Sequence, residues 1–288
     1  MVRDFVLGLD LGSTKFRMVV CSVDEQGALE IVGVSDCPSA GVNRGRIVDM
    51  DQVVQAIDHG MKRLNSLVFL ADKCVITNLM PESVSFIRNT GYMLSKSRSG
   101  QVTYEEQREC VRRSKSIVKS SDQRILHVVP LYFKVDGNQV SQAVGVFGRQ
   151  VEVMTHMVMV NRNALYELTQ GLNRLGCRVE GLAYDGFSTG QVYLSDQERQ
   201  EGVLLIDFGA EFTRLHYFKD HKLYWSHVIP LGGATLTRDV ALCMDVSESE
   251  AERLKVVHGD ILLQRVDKNK VISDEERKKM RSEILGID

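Results

Sequence analysis

A stretch of sequence near the N-terminus recurs, without a gap, far down the chain, and this duplication restricts the possible folds more than any other property. Leu7-Gly8-Leu9-Asp10-Leu11-Gly12 reads like Leu204-Leu205-Ile206-Asp207-Phe208-Gly209. Asp10 meets Asp207, Gly12 meets Gly209 and Arg17 meets Arg214, an offset of 197 residues. Each copy is an apolar strand, a glycine turn and a second strand (16–23 and 213–219). A third strand (29–34 and 223–229) and a helix follow in both. Chance readily supplies one D-x-G match, but not the same succession of elements around it. The period is that of a domain and not of a solenoid. It divides the 288 residues into two related halves, in keeping with a prior of about two domains for this length.

The first helix is well marked. Asp49 or Asp51 can cap it, and Val53, Val54, Ile57, Met61, Leu64 and Val68 follow at helical spacing. In the second copy Thr235 or Thr237 opens a helix that ends near Asp245. Ser247, with Glu250 three residues on, has capping-box spacing for another that stops at Gly259. Between the copies, 73–77 reads as a strand and 83–160 as a distinct block. That block carries a polar loop (95–100), a helix (104–119) and strands at 125–135 and 151–160. A helix at 163–175 and a strand near 178–183 resume the interrupted unit, and the tail from 264 to 288 reads as a solvated, charged helix face.

Composition removes several classes of function. A net charge of −2 gives no global basic field to draw in nucleic acid or anionic lipid. No apolar run reaches the roughly 18 residues of a spanning helix, and the N-terminus lacks a signal peptide's long apolar core. The six cysteines lie far apart with no C-x-x-C, and no H-E-x-x-H occurs among the seven histidines. A zinc ribbon, a thioredoxin motif and a disulfide framework are therefore not expected, and the thiols read as reduced core residues of a cytosolic protein.

Chemistry concentrates in the duplicated turns. In Asp10-Leu11-Gly12-Ser13-Thr14-Lys15, glycine permits a tight bend and a close approach to a ligand, and successive N–H groups can form an anion-binding concavity. The hydroxyls of Ser13 and Thr14 add donors and Lys15 a positive charge, while Asp10 at the strand end suits a hydrated Mg²⁺. Either loop alone reads as a β-hairpin turn with incidental polar residues. The pair, in matching context, reads as phosphate-binding from two sides. Neither is a P-loop or a G-x-G-x-x-G. Gly232-Gly233, before a helix, offers free N–H groups to an anion or is a plain strand-to-helix turn. Glu252 and Lys255 share a helix face, as a surface salt bridge or as nucleotide contacts.

These residues resemble the actin and DnaK-type ATPase superfamily, and within it the FtsA family of bacterial cell-division proteins. Residues 9–15 resemble that family's first phosphate loop, and 41–57 (GVNRGRIVDMDQVVQAI) the segment after it. The most specific signal is the middle block. Ile125-Leu126-His127-Val128-Val129-Pro130, then Phe133-Lys134-Val135-Asp136-Gly137, resembles the subdomain inserted in this family. Residues 229–233 and 248–259 resemble it too. The resemblance implies an α/β, actin-like (ribonuclease H-like) fold of duplicated domains. The first subdomain would be 1–82 with 161–195, the insert 83–160, the second subdomain 196–246, and a further one would begin in 247–288. It implies ATP and Mg²⁺ as cofactors. Asp10, Gly12, Ser13, Thr14, Lys15, Asp207, Gly209, Thr213, Gly232, Gly233, Glu252 and Lys255 would contact them, with Asp10 and Asp207 around the metal. The implied partners are FtsZ, further copies of the chain, and other division proteins through 83–160. No nucleic acid is implied, and the implied place is the cytoplasmic face of the inner membrane at the division site.

Two departures bear on these expectations. The family's second phosphate loop is D-x-G-G-G-T-T-D, whereas this chain has Asp207-Phe208-Gly209-Ala210-Glu211-Phe212-Thr213-Arg214. A glutamate ~6 Å from one phosphate charge costs roughly 3 kcal/mol at an effective dielectric of 20, a factor of about 100 in affinity. Arg214 or a cation can offset it. Turnover is thus expected to be that of a weak ATPase at most, with a scaffold or pilus-assembly relative that has lost nucleotide binding as the alternative. Second, such a chain is expected to continue past residue 288 with another strand, a second glycine-rich adenosine loop and a C-terminal amphipathic membrane helix. The second half is on that reading incomplete.

Overall fold

A computed structural model describes residues 4–65, 73–117 and 122–259. The expected helical position Val68, the helix end at 118–119 and the charged tail lie outside the described residues. The chain forms two compact units, one of Met1–Asp207 with Arg214–Ile229, the other of Phe208–Thr213 with Pro230–Asp288.

The first unit begins with β1 (Asp4–Leu11), β2 (Lys15–Val23) and β3 (Leu29–Pro38), an antiparallel meander. Its apolar residues alternate, so Leu7, Leu9 and Leu11 fall on one face with Phe16, Met18 and Val20 of the neighbouring strand. A small hairpin, β4 (Val42–Asn43) with β5 (Arg46–Ile47), leads to α1 (Met50–Asn65). Asp49 caps this helix, its Oδ1 accepting from the Gln52 N–H at 3.0 Å. Val53, Ile57, Met61 and Leu64 lie one or two turns apart and are buried against the meander. Then β6 (Lys73–Thr77) adds to β1 in parallel.

Next comes a second sheet. After a 3₁₀ turn at Pro81–Ser83 the chain forms β7 (Val84–Leu94), α2 (Tyr104–Ser114), β8 (Gln123–Val135), β9 (Asn138–Val140) and β10 (Gln150–Asn161). The strand order is β7-β10-β8-β9. Being central, β10 is buried on both faces from Met157 to Val160, which is why its text is a continuous apolar run. Thr103 and Glu106 close a capping box at the start of α2.

The chain then returns to the first sheet. Asn161 caps α3 (Arg162–Asn173), and β11 (Cys177–Leu182) completes the order β11-β6-β1-β2-β3. Leu168 and Leu172 of α3 join the same core as α1. Two helices unexpected from the sequence follow, α4 (Asp185–Tyr193) and α5 (Asp196–Glu201). A three-stranded sheet ends the unit, β12 (Val203–Phe208), β13 (Thr213–Lys219) and β14 (Lys222–Ile229) in sequential order, as in β1-β2-β3.

In the second unit α6 (Gly233–Met244) begins two residues before the expected Thr235, because Gly232 is extended and serves as its N-cap. Its end at Asp245 is left-handed (φ 50°), and Ser247 with Glu250 forms the expected capping box of α7 (Glu248–His258). All six cysteines are free. Contrary to the core reading, Cys243 is exposed and Cys21 and Cys74 are half-buried, so only Cys37, Cys110 and Cys177 are core thiols. Among the described residues no helix is long and apolar enough to cross a membrane.

Candidate functional site

The two copies of the glycine turn are built alike. In the first unit the Gly12 N–H donates to the Lys15 carbonyl at 3.1 Å. In the second unit the Gly209 N–H donates to the Phe212 carbonyl at 2.9 Å. Each is a two-residue hairpin connection, Ser13-Thr14 and Ala210-Glu211. A Cβ on Gly12 would stand 2.7 Å from the Lys15 oxygen, and one on Gly209 2.9 Å from that of Phe212. Glycine is thus required by close approach at both turns. Ser39 anchors the first turn through its carbonyls alone. Its N–H donates to Thr14 O at 3.0 Å and its Oγ to Ser13 O at 2.6 Å, which consumes none of the turn's own donors. Thr14 and Lys15 at the tip are exposed.

Asp10, at the end of β1, is exposed, and its Oδ1 accepts from Asn78 Nδ2 at 2.8 Å. The same Asn78 accepts through Oδ1 from the Leu11 N–H at 2.7 Å, so a buried side chain just beyond β6 fixes both the strand end and the carboxylate. Asp207, the counterpart of Asp10, is bound by Arg214, whose Nη1 lies 2.8 Å from Asp207 Oδ2. Arg214 also reaches Asp185 at the start of α4, Nη2 to Oδ2 at 3.3 Å. Burial raises the Asp185 carboxyl to about 6, against the pull of Arg214 and an Asn78 hydrogen bond, with Asp10 and Asp207 adding to the rise. Burial disfavours the charge of Arg214, but Asp185, and then the hydrogen bond and charge of Asp207, outweigh it and hold that pKa above its ordinary value.

Beneath this cluster lie buried rings. Tyr184 and His216 meet edge to face at 5.4 Å, with the Tyr184 hydroxyl 3.4 Å from His216 Nδ1 and Ser226 Oγ equally far from the same nitrogen. Burial lowers the His216 pKa to about 4.

The second unit gathers the other predicted residues. The N–H groups of Gly233 and Ala234 at the start of α6 donate to Gly209 O at 3.0 Å and Ala210 O at 2.7 Å. The expectation of free donors at Gly232-Gly233 is corrected here: the second turn's own carbonyls take those of Gly233 and Ala234. This fit is close, because a Cβ on Gly232 would stand 2.5 Å from both carbonyl oxygens. The Thr213 hydroxyl donates to Leu231 O at 2.8 Å. Lys255 Nζ donates to Gly233 O (3.1 Å), Thr237 Oγ1 (2.9 Å) and Glu252 Oε2 (2.6 Å). Thr237 Oγ1 also lies within hydrogen-bond reach of the Glu252 carboxylate and Gly233 O, its single proton going to one of them at a time. The salt bridge expected from helical spacing is present, and it ties α7 to the first turn of α6. The hydrogen bonds from Lys255 and Thr237 hold the Glu252 carboxyl below its usual range.

Asn78 and Asp185 were not singled out by the sequence, and Arg214 only as a possible counter-charge. An asparagine after an apolar strand and a Tyr-Asp-Gly before a helix were the available signals, and neither is specific.

Comparison with known proteins follows this geometry. Two family models match, "Cell division protein FtsA" over residues 204–285 and "SHS2 domain inserted in FTSA" over 82–159. The chain is 29% identical over 264 residues to the cell division protein FtsA of Borreliella burgdorferi, covering 90% of this chain and 63% of that one. It is 27% identical to that of Escherichia coli strain K12, covering 89% and 61%. It therefore spans about three fifths of the length of the curated relatives it matches. Among solved structures, the PilM-PilN type IV pilus biogenesis complex aligns with TM-score 0.65 at 18% identity, over 99% of this chain and 74% of that one. MreB 5 of Spiroplasma citri bound to AMPPNP aligns with TM-score 0.51 at 12% identity, over 99% and 76%. At such identities the structures speak for the fold alone, and that fold is the actin-like one that the resemblance implies. With one model on the inserted sheet and the other from β12 onward, and with relatives aligned over about nine tenths of it, this chain is similar to the FtsA family of cell-division proteins.

Proposed function

We propose that the chain binds ATP and acts as a switching and assembly protein of bacterial division, contacting FtsZ, associating with copies of itself and linking the ring to the membrane. The observation that carries the nucleotide reading is the pair of glycine turns, closed by the same hydrogen bond in both copies, the first anchored by Ser39 through its carbonyl oxygens. Gly12, Ser13, Thr14 and Lys15, with Gly209 and Thr213, are assigned to the phosphates. Glu252 and Lys255 are assigned to the adenosine, and Gly232 and Gly233 to the nucleotide as a whole. The division context rests on the family. Self-association and contacts with other division proteins are assigned to the inserted sheet, 83–160, and the site of action to the cytoplasmic face of the membrane. Turnover is slow at most, since Glu211 replaces a glycine of the phosphate loop.

Labelled ATP at up to millimolar concentration, offered in Mg²⁺ and in EDTA, tests the nucleotide half. Saturable binding is expected, and none in either condition would sink it. Co-sedimentation with FtsZ polymers tests the division half, with recovery in the supernatant alone as the opposing result.

A second reading, a scaffold of the same family that has lost its nucleotide, is favoured by one observation: the Gly233 and Ala234 N–H groups are consumed by the second turn. Glu211→Gly separates the two. A damaged but real site gains affinity, by up to a factor of about 100, whereas a scaffold stays flat.

A further inference from the structure

We propose that Arg214 is a built-in counter-cation for the carboxylates of this site, and that the phosphate ligand is bound without a divalent metal ion. The ligand half rests on the nucleotide reading above; the metal half stands on the residues themselves.

The guanidinium divides its two terminal nitrogens between Asp207 and Asp185, at 2.8 and 3.3 Å. Arg214 and Asp185 side chains are each 16% exposed and Asp207 32%, so bulk water does little to screen the contact. Asp10, the other expected metal carboxylate, is pinned by Asn78, whose Nδ2 donates to its Oδ1 at 2.8 Å. Asp185 supplies the arginine with a second partner.

A hydrated Mg²⁺ needs carboxylate oxygens turned toward its water shell in near-octahedral order. Asp207 Oδ2 is committed to a guanidinium, which repels a doubly charged ion from that oxygen. Arginine does not deprotonate at any pH the fold survives, so the block is permanent, and its planar fork matches two carboxylates in a way lysine does not. Among the described residues no group of three or more His, Cys, Asp or Glu could hold a metal ion. The expected pair Asp10 and Asp207 therefore does not fit Mg²⁺. The residues fit an arginine-closed carboxylate cluster.

The test titrates the chain with Mn²⁺ alone, following free Mn²⁺ by its paramagnetic resonance signal. No specific site is expected up to about 1 mM. Arg214→Asp, which puts a carboxylate in place of the guanidinium, is expected to create one, with affinity at least about tenfold higher. If Arg214→Asp does not fold, Arg214→Gln removes the charge and serves in its place, with folding checked by circular dichroism. Labelled ATP is expected to bind the unmodified chain within about threefold equally in Mg²⁺ and in EDTA. Mn²⁺ binding by the unmodified chain that disappears in Asp207→Asn would overturn the proposal. So would a loss of ATP affinity of about tenfold or more in EDTA. Absence of ATP binding in both conditions refutes the nucleotide reading and leaves the Mn²⁺ titration to decide this one.

Discussion

Gly12 shows how narrow the tolerance of the first turn is. Any side chain there places a carbon 2.7 Å from the Lys15 carbonyl oxygen, so the turn must open before it accommodates even a methyl group. Gly12→Ala is therefore expected to lower ATP affinity by about tenfold or more while the thermal midpoint moves by only a few degrees. Unchanged affinity by equilibrium dialysis would separate this turn from the ligand. The charged residues carry a different lesson. Asp10 and Asp207 were legible because they belong to a repeated string, and Lys15 because it lies in the first of the two turns. Asn78 and Asp185 were not, since the fold brings Asn78 to Asp10 and Leu11, 68 and 67 positions away, and Asp185 to Arg214, 29 positions away.

Among the elements, most helices with local signals were readable, whereas α5, though capped by Ser195, and the strands β4, β5, β7 and β9 were not. Asp49, Thr103, Asn161, Ser195 and Ser247 all cap helices, and three of these caps are complete capping boxes, a pattern confined to four neighbouring residues. The long strand β7 went unread because polar Arg88, Asn89 and Thr90 break its alternation. What admits them is packing at Gly91, where Cys110 Sγ bonds the Gly91 carbonyl at 3.4 Å and a Cβ would stand 2.1 Å from the Cys110 oxygen. The strand needs glycine because the backbone of α2 approaches it there. Gly91→Val is expected to push α2 off the inserted sheet and cost about 2–3 kcal/mol, read by urea denaturation. A change under about 0.5 kcal/mol would mean that α2 is not seated on β7 as described.

On the scale of the whole molecule, two histidines couple stability to pH. His156 on β10 and His216 on β13 are 1% and 0% exposed, and burial lowers both pKa values to about 4. Arg88 adds to the effect at His156, while Asp207 opposes it at His216 and Arg214 and His156 reinforce it. The folded values lie below the unfolded value of about 6.5, so the unfolded chain takes up protons first. Their contribution is complete above about pH 6.5 and is lost as pH falls toward 4, by up to roughly 3 kcal/mol for each ring. His156 has no hydrogen-bond partner for either ring nitrogen and stacks on Phe86. His156→Leu is therefore expected to be tolerated at pH 7 and to lose less of its thermal midpoint than the parent chain between pH 7 and 5. Parallel declines would show that these rings do not set the slope.

By itself the sequence determined what repeats and what is local: the duplicated strand-turn-strand text, the glycines that close both turns, the helix caps and the inserted block that marks the family. Only the tertiary structure decided how charge is arranged around those turns. It bound Asp207 to Arg214, brought Asp185 to the same guanidinium, set Asn78 against Asp10, and turned the first donors of α6 onto the second turn. The physical reason is range. Turns and caps are settled within about four residues by steric fit and hydrogen bonding, whereas a buried ion pair depends on which distant segments share a low-dielectric pocket.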